Sequence, residues 1–537
     1  MLLSFREGGR RGMKILFLSA EVAPFVTVGG LSQVMYFLPR ALTNKGHDVR
    51  IFMPKYASIE DPLSKKRWKL KKEIDKLSVP IENLQTRAKV SAQDSILCNI
   101  KSYPKTRTTL KTYFLENREY YELRANMYGY KDDHIRFALL SKGCLEFLLL
   151  MEDLLKKKDK QGWLPDVIHC NDWHTGYFID LARQSKRYSS ILSKIPIVFT
   201  VHNFVYQGNY DFRYGNHEDP DMGVAPLASL LSPKLQMQNA LLRGVLYSDA
   251  VNTVSSTHAL EVLTSEYGAG LETVLKAVRG KLAGILNGLD TKEFNPETDP
   301  IIQQKYSIST FPAARRENKL DLQRLFELEE NSSNPLMAIS GRLSQQKGWD
   351  LLLKVLPHLL ATRKDLQLIV LGSGDDRYRD QVLKLQKLYP KQIGLHLRSD
   401  FRLPRKLFSG VDIMLMPSMF EPGGIVALEA LRYGAVPLVR RTGGLNDIVT
   451  DFNAVTKAGN GFSFRDNNPW ELFAAIVEAL TVYKQQNLWK KLIHNCMSYD
   501  FSWKYSATLY EDLYRNVIEG RRRAVSSTPH PAYNPQV

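Results

Sequence analysis

Short apolar runs alternate with longer segments of helical periodicity, in two successive rounds along the chain. Apolar runs of four to six residues are typical of strands buried in a parallel sheet, with helices between them. The pattern therefore predicts an α/β protein with two doubly wound, Rossmann-like domains. The predicted strands are Ile15–Ala20, Val49–Met53, Val167–Cys170 and Ile197–Val201 in the first round, and Leu336–Ser340, Leu366–Leu371, Gly394–Leu397, Ile413–Met416 and Pro437–Val439 in the second.

Changes in composition place the domain boundaries. A lysine-rich stretch at residues 60–110 is predicted to be a strand-containing insertion in the first domain. The predicted order is an N-terminal extension at 1–12, an N-terminal domain at 13–300, a polar linker with helical pieces at 301–334, a C-terminal domain at 335–495, and a disordered tail at 524–537.

Length and cysteine usage narrow the class of protein. A chain of 537 residues, 44% of them hydrophobic, is long enough for more than one core. No apolar run reaches the roughly 18 residues of a membrane helix, and Glu21 ends the first run too early for a signal peptide. The four cysteines lack disulfide or metal-ligand spacing. We therefore expect a cytoplasmic protein with reduced thiols and no membrane segment.

The net charge of +17 favours acidic partners in general. Basic clusters such as Lys65–Lys72 resemble nucleic-acid contacts in composition alone. No recognised nucleic-acid-binding motif accompanies them, so we expect no nucleic-acid partner.

Polar residues follow the predicted strands at the points where the strands end. Because ligands of open parallel sheets bind outside the carboxyl ends of strands, this clustering predicts a binding cleft between two such edges. A single His or Gly-x-Gly after a strand is a weak signal, and the prediction depends on the whole set. The set comprises Glu21, Gly29, Gly30, Asp172, His174 and His202 in the first round, and Arg342, Lys347, Gly372, Gly374 and Glu421 in the second.

The segment Phe420–Glu429 places two carboxylates around a Gly-Gly step where an apolar strand turns into a helix. Gly423 and Gly424 would let a ligand approach the N–H groups at the helix start, which attract anionic oxygens. Glu421 would accept hydrogen bonds from a sugar, and Glu429, two turns later, would bind ribose hydroxyls. The alternative is an ordinary turn with two solvated glutamates.

The ordered motifs resemble the bacterial glycogen synthase and plant starch synthase family, over Lys14 to about Tyr514. The resemblance implies the GT-B fold, two Rossmann-like domains facing each other across a cleft, and a C-terminal helix at 496–523 that returns to the N-terminal domain. The matching stretches are Glu21–Pro24, Gly29–Leu31, Tyr130–Phe137, His169–His174, Phe199–Asn203, Tyr206–Gly208, Ile285–Asp290, Gly341–Leu343, Gln346–Gly348, Phe420–Glu429 and Arg441–Leu445.

The resemblance implies a glycosyltransferase that moves glucose from a nucleotide diphosphate glucose to the nonreducing end of an α-1,4-glucan, with retention. It favours ADP-glucose over UDP-glucose as the donor. The partners are then the donor and the glucan, glycogen or starch. No Asp-x-Asp motif stands in a matching place, so we expect neither a metal nor another cofactor. The sequence gives no oligomeric state.

The family's site residues carry over by position. Arg342 and Lys347 would hold the pyrophosphate and stabilise the charge that develops on the leaving group. His174 would contact the donor glucose, Asp132 would lie near the acceptor, and Glu421 would bind donor hydroxyls. The remaining donor contacts would be the amides of Gly29, Gly30, Gly423 and Gly424, with Asn239 and Tyr121 aligning more loosely.

The sequence departs from the family pattern at three positions, and these departures affect which nucleotide glucose is expected as the donor. Thr27 stands where the family usually has a lysine, which removes a charged pyrophosphate contact worth about 1.5–3 kcal/mol. Arg440 or Arg441 would be candidates to compensate. Gly423 replaces a common cysteine, and Glu429 replaces a tyrosine found in bacterial relatives, so that Glu421 and Glu429 resemble the Glu-x7-Glu pair of other retaining GT-B enzymes.

Two other functions stay open from the sequence. One is another retaining GT-B glycosyltransferase with a small acceptor, which the motifs of the first domain disfavour. The other is a catalytically weakened glucan-binding protein, which Thr27 motivates.

Overall fold

The computed structural model describes residues 12–526 apart from 62–67, 107–108, 160, 209–220, 399 and 401. It divides into two compact units. The first comprises residues 1–254, 259–285 and 506–537, and the second comprises residues 255–258 and 286–505. Residues 1–11 of the predicted extension and 527–537 of the predicted tail lie outside the described residues.

A nine-stranded sheet forms the centre of the first unit, counted over the part of the chain that the structure describes. Its order is β3-β4-β5-β2-β1-β6-β7-β8-β9. Strands β3, β4 and β5 pair antiparallel, and all other pairs are parallel. The strands are β1 Lys14–Leu18, β2 Asp48–Pro54, β3 Lys71–Pro80, β4 Ser95–Tyr103, β5 Lys111–Glu116, β6 Val167–Asn171, β7 Ile197–Val201, β8 Ala250–Thr253 and β9 Leu282–Gly284.

The second unit contains a wholly parallel sheet in the order β12-β11-β10-β13-β14-β15. Its central strands are apolar on both faces because helices cover both sides of such a sheet. The strands are β10 Leu336–Ser340, β11 Gln367–Leu371, β12 Ile393–His396, β13 Ile413–Met416, β14 Val436–Arg440 and β15 Phe462–Phe464.

Helices connect the strands in both units. In α1, for example, the buried side chains Leu31, Val34, Met35 and Leu38 recur at helical spacing and form the core-facing stripe. The α-helices of the described residues are α1 Gly30–Asn44, α2 Asp133–Lys156, α3 Gly176–Gln184, α4 Lys186–Leu192, α5 Ala240–Tyr247, α6 Ser256–Glu261, α7 Glu272–Ala277, α8 Phe311–Leu325, α9 Trp349–Thr362, α10 Asp376–Leu388, α11 Leu403–Gly410, α12 Ile425–Arg432, α13 Gly443–Ile448, α14 Pro469–Lys484, α15 Gln486–Ser498 and α16 Trp503–Ser526.

The predicted linker at 301–334 is part of the second unit rather than a separate connection. Its helix α8 packs on α11, and Arg315 of α8 donates a hydrogen bond to the carbonyl of Phe408 at 2.9 Å. The chain divides instead at Ile285, immediately after β9.

The last helix, α16, extends to Ser526, so residues 524–526 of the predicted tail are helical. From Ser506 onward α16 belongs to the first unit. Tyr514 and Tyr510 are fully buried there. The Tyr514 hydroxyl lies 2.6 Å from His169 Nδ1 on β6, and Asn252 Nδ2 on β8 donates to the Tyr510 hydroxyl at 3.0 Å. Buried hydrogen bonds therefore attach α16 to the sheet.

Candidate active site

In the second unit, the carboxyl ends of β10 and β13 bring a lysine and a glutamate together. A short turn at Gln345–Lys347 follows β10, and Glu421 follows β13. Lys347 Nζ forms an ion pair with Glu421 Oε2, which also accepts a hydrogen bond from Ser418 Oγ at 3.2 Å. Both charged side chains are about one-fifth exposed, at 23% for Lys347 and 20% for Glu421. The pair is therefore held in place and still reaches solvent.

Glycines permit the close turns around this pair. Gly424, which precedes α12, has a left-handed φ of +61°, and a Cβ there would lie 2.9 Å from Ile448 Cδ1. Gly348 has φ +77°, and a Cβ there would lie 1.9 Å from the Pro417 carbonyl oxygen. A side chain at Gly348 would collide with the backbone that follows β13, and one at Gly424 would require Ile448 of α13 to move.

These groups line one pocket inside the second unit. Its walls include Arg342, Lys347, Glu421 and Gly424, with β10 and β13 at its base. Arg342 is exposed, and its Nη2 donates to Gln346 Oε1 at 3.2 Å. The structure thus brings together two cations, a carboxylate and the first turn of α12, whose leading N–H groups lack intrahelical acceptors. Such a set suits a ligand that carries both phosphate and hydroxyl groups.

Glu429 is not among the residues that line this pocket. It lies on the buried side of α12 with only 9% exposure, and burial raises the pKa of its carboxyl to about 7. The nearby Arg405 opposes that shift, but Arg405 already pairs with Glu293 at 2.8 Å. The predicted ribose contact of Glu429 stays a prediction.

In the first unit, an exposed loop with Thr27 and Gly29 lies between β1 and α1, and Gly30 begins α1. Glu21 anchors it: Oε2 of this buried side chain accepts hydrogen bonds from the N–H groups of Val28 at 2.9 Å and Gly29 at 3.1 Å. Burial raises the pKa of Glu21, Asp172 raises it further, and the two N–H groups oppose the shift. Sequence reasoning placed Glu21 at the site but missed this anchoring role.

His174 follows β6 and is enclosed by aromatic rings. It is 7% exposed, and its ring centroid lies 4.3 Å from Trp173, 4.6 Å from Phe137 and 4.9 Å from Tyr128. Burial, and then Arg136, lower the pKa of His174 to about 3. Its Nδ1 is buried without a hydrogen-bond partner among the described residues. His174 is therefore a neutral imidazole at physiological pH.

Asp172, two residues before this histidine, is held in an unusual backbone conformation with φ +55°. Its carboxylate accepts a hydrogen bond from the His202 N–H at 2.7 Å. Burial raises the pKa of Asp172 to about 7, and that hydrogen bond opposes the shift. Backbone strain of this kind is typical of functional sites.

Asp132 precedes α2, and its Oδ2 pairs with Arg124 Nη2 at 2.5 Å. Arg136, on the first turns of α2, is fully buried and donates to the carbonyls of Tyr120 at 2.7 Å and Met127 at 2.9 Å. Arg136 thereby fixes the segment that carries Asp132. The sequence analysis quoted Arg136 within a matching motif without assigning it a role.

Two predicted donor contacts are turned inward. Tyr121 is 0% exposed, and its hydroxyl donates to the Arg136 carbonyl at 2.7 Å. Asn239 is 2% exposed; it accepts from the Leu242 N–H at the start of α5 and donates to Gln207 Oε1 at 2.6 Å. Both side chains make internal hydrogen bonds, and their predicted contacts with the donor stay predictions.

The two arginines proposed to replace the missing lysine have partners within the second unit. Arg440 Nη1 donates to the Met419 carbonyl at 2.5 Å. Arg441 pairs with Asp451 and donates to Ser463 Oγ at 2.6 Å. Each guanidinium thus has an internal acceptor, and its predicted compensation for Thr27 stays a prediction.

Within the described residues, no group of three or more His, Cys, Asp or Glu side chains is arranged to hold a metal ion. Over the same residues, no helix is both long and apolar enough to cross a bilayer.

Comparison with known proteins decides the family. The model of the starch synthase catalytic domain matches residues 14–277, and that of the glycosyl transferases group 1 matches residues 323–494. A glycogen synthase of Clostridium novyi (strain NT) is 36% identical over 512 residues, which are 94% of this chain and 99% of that protein. The chain belongs to the glycogen and starch synthase family. The glycogen synthase of Geotalea daltonii is 37% identical over 518 residues, 95% of this chain and 100% of that protein.

A solved structure supports the same family assignment. The catalytic domain of starch synthase IV from Arabidopsis thaliana, bound to ADP and acarbose, matches with a TM-score of 0.75 and 30% identity, over 95% of this chain and 100% of that one. Sucrose-phosphate synthase from Thermosynechococcus elongatus, at 18% identity and a TM-score of 0.54 over 95% of this chain and 100% of its own, shares the fold. The prediction of a GT-B fold for this family member is confirmed.

Proposed function

We propose that this chain is a glycogen synthase that transfers glucose from ADP-glucose to the nonreducing end of an α-1,4-glucan, with retention at the anomeric carbon. The observation that carries the proposal is the pocket of the second unit, where Arg342 and Lys347 meet Glu421 at the first turn of α12. Similarity to glycogen synthases over 94% of the chain supports the choice of reaction.

The pocket must stabilise the negative charge of the departing diphosphate. When the bond between glucose and the diphosphate breaks, negative charge develops on the phosphate oxygens. Arg342 and Lys347 supply preorganised positive charge, and the N–H groups that begin α12 supply donors at the same place. A lysine ammonium has three N–H donors, and Glu421 engages one of them. Lys347 can therefore bind a phosphate oxygen without leaving Glu421.

Glu421 is proposed to bind hydroxyls of the donor glucose. An ionised carboxylate accepts hydrogen bonds only, and sugar hydroxyls donate them. The contacts from Lys347 and Ser418 fix its orientation, so that one carboxylate oxygen is presented to the sugar. Glu421 would thereby link phosphate binding to sugar binding through Lys347.

The first unit is proposed to supply neutral and acceptor-side groups. His174, kept uncharged by burial, would hydrogen-bond the donor glucose without repelling the positive charge that develops on the sugar ring. Asp132, oriented by Arg124, would stabilise that charge and lie near the acceptor. The loop is anchored through the Val28 and Gly29 N–H groups, which Glu21 accepts, and it would contribute the N–H of Gly30 at the start of α1.

The proposed transfer uses no protein nucleophile and no metal. The bond from the anomeric carbon to the phosphate oxygen breaks, and a bond to the acceptor 4-hydroxyl oxygen forms on the same face. The departing phosphate oxygen takes the hydroxyl proton. Protein cations take the place that a divalent ion has in other phosphate-transfer sites. EDTA should therefore leave the rate unchanged.

ADP-glucose is the proposed donor because the solved starch synthase IV relative is bound to ADP. Adding glycogen, maltoheptaose, fructose or fructose 6-phosphate to separate reactions with ADP-glucose and EDTA tests the acceptor. Proton NMR of the product should show new α-1,4 linkages with the two glucans only. Transfer to a fructose acceptor would instead identify a small-acceptor glycosyltransferase.

A further inference from the structure

Three buried polar atoms near the His174 ring have no hydrogen-bond partner among the residues that the structure describes. They are His174 Nδ1, the Tyr128 hydroxyl and Arg136 Nη2. His174 is 7% exposed and Arg136 is 0% exposed. Buried polar groups are normally hydrogen-bonded, either to protein or to ordered water. Each of these atoms therefore requires a polar partner.

The three side chains adjoin one another. The Tyr128 ring packs on the imidazole of His174, with centroids 4.9 Å apart. The Arg136 guanidinium and the His174 ring both pack on Phe137, at 5.5 Å and 4.6 Å from its ring centroid. Burial, and after it the positive charge of Arg136, lower the pKa of His174. The guanidinium is therefore close enough to the imidazole to act on it.

Arg136 leaves one nitrogen without an acceptor, unlike another buried arginine of the same unit. Its Nε and Nη1 donate to two backbone carbonyls at 2.7 and 2.9 Å, and Nη1 also pairs with Asp133. Arg187, which is 5% exposed, engages all three nitrogens, through Glu146 and two carbonyls. The guanidinium of Arg136 therefore has N–H groups to spare beyond those that hold the backbone.

The chemistry of the two side chains determines what can join them. A guanidinium only donates hydrogen bonds, whereas a neutral imidazole donates from one nitrogen and accepts at the other. Arg136 Nη2 and His174 Nδ1 do not bond each other directly. A water molecule can accept from the first and donate to the second. With the Tyr128 hydroxyl it would have three partners, the usual number for a buried water.

We propose that Arg136 is a positioning residue for His174: one buried water accepts from Arg136 Nη2 and donates to His174 Nδ1, which keeps the ring proton on Nε2. The hydrogen bond made by one ring nitrogen determines which nitrogen carries the proton. The inference rests on the proposed function, in which His174 contacts the donor glucose, and deepens it. Nε2–H then always donates to an oxygen of the sugar, and the sugar hydroxyl keeps its own proton for another acceptor.

Nitrogen NMR of the histidine ring reports this tautomer in the wild type. In full-length protein labelled with 15N-histidine, the His174 signals are those that disappear in His174→Gln. At neutral pH, Nδ1 should show the chemical shift of an unprotonated nitrogen and Nε2 that of a protonated one. A proton on Nδ1 would overturn the assignment.

Removing the guanidinium tests its part in this preference. Arg136→Met should convert His174 into a mixture of the two tautomers. Arg187→Met removes a buried arginine with the same kinds of partner and should leave the His174 tautomer unchanged. Pure Nε2–H tautomer in folded Arg136→Met would overturn the positioning role. The wild-type spectrum decides the tautomer even if Arg136→Met does not fold.

A crystal structure of the full chain tests the bridge itself. One ordered water is expected within hydrogen-bond distance of both Arg136 Nη2 and His174 Nδ1. A map without a water between these atoms would overturn the bridge.

Kinetic coupling tests whether the arrangement serves the reaction. Arg136→Met should lower kcat with ADP-glucose about tenfold more in the wild type than in His174→Gln, because its effect passes through the imidazole. An equal loss in both backgrounds would mean that Arg136 only holds the backbone, and would contradict the inference. Should the wild type release no nucleotide from either donor, the proposed function fails, and the NMR spectra still decide the tautomer.

Discussion

In the second unit, Lys347 and Glu421 form an ion pair that remains about one-fifth exposed, whereas in the first unit His174 is buried, Asp172 is partly buried, and the pKa of each is shifted toward its neutral form. The carboxyl edges of the two sheets thus differ in charge: the second unit presents an ion pair, and the first presents side chains that favour their neutral forms. A partly exposed ion pair can bind a charged diphosphate through the lysine N–H donors that the glutamate does not engage. Buried neutral groups suit the uncharged sugar and discourage competing water. The comparison implies that charge stabilisation depends mainly on the second unit.

Removing the lysine of the second unit should have the largest effect. Lys347→Ala should lower kcat with ADP-glucose by roughly 10²–10³-fold, because a preorganised cation is lost where the leaving charge develops. Steady-state ADP release measures this loss. Lys354→Ala, at an exposed lysine of α9, is the matched control and should behave as wild type. Near-normal turnover of Lys347→Ala would contradict the proposal that the second unit stabilises the charge of the leaving group.

Neutralising the partner carboxylate should have the next largest effect. Glu421→Gln keeps the shape but weakens charge-assisted hydrogen bonds to the sugar, with an expected loss of about 10²-fold in kcat/KM. Glu317→Gln, on the exposed side of α8, controls for the substitution. A loss as small as that of the control would indicate that Glu421 only holds Lys347.

A lysine at position 27, where the family usually has one, should add positive charge to the first unit and tests whether this loop contacts the diphosphate. Thr27→Lys places a cation on the exposed loop beside the buried Glu21, and one charge-assisted phosphate contact of about 1.5 kcal/mol corresponds to about a tenfold lower KM for ADP-glucose. Thr27→Met matches the added length without the charge. Equal KM values for the two variants would show that this loop does not contact the diphosphate.

The smallest expected effect is a dependence of stability on pH. The folded-state pKa of Asp172, about 7, lies above its ordinary value of 3.8. The folded protein therefore retains a proton that the unfolded chain releases, and stability falls as the pH rises from about 4 through 7. The Asp172→Asn side chain does not titrate and so avoids this loss. The Tm of the variant minus that of the wild type should therefore be about 2–4 °C larger at pH 8 than at pH 5.

Thermal unfolding at pH 5, 6.5 and 8 measures this difference. Asp153→Asn, at an exposed carboxylate of α2, should give a Tm difference that does not depend on pH. A constant difference for Asp172→Asn as well would mean that Asp172 is ionised throughout this range.

Much of the fold follows from local sequence. Strands β10 and β13 match the predicted bounds because continuous apolar runs mark strands buried on both faces. Strand β8, Ala250–Thr253, escaped prediction because it is short and half polar. Its Asn252 is buried against Tyr510, a residue 258 positions away, and no local pattern reveals such a partner.

The residue types of the candidate site were predictable from the sequence, but the burial and the contacts of each side chain were not. The position of Lys347 and Glu421 after two strands was evident, whereas their ion pair depends on the turn at Gly348. Glu429 shows the limit most clearly. Its spacing predicts a ligand contact, which stays a prediction, and the packing of α12 leaves it only 9% exposed and outside the pocket lining, which the spacing did not indicate. Burial of a charged residue is set by distant elements, which periodicity does not identify.

A side-by-side donor assay tests the central claim most directly. Purified protein with glycogen and EDTA should release ADP from ADP-glucose and lengthen the glucan, with a much lower rate of UDP release from UDP-glucose. Retained glycogen binding with no nucleotide release from either donor would contradict the account and identify a glucan-binding protein without synthase activity.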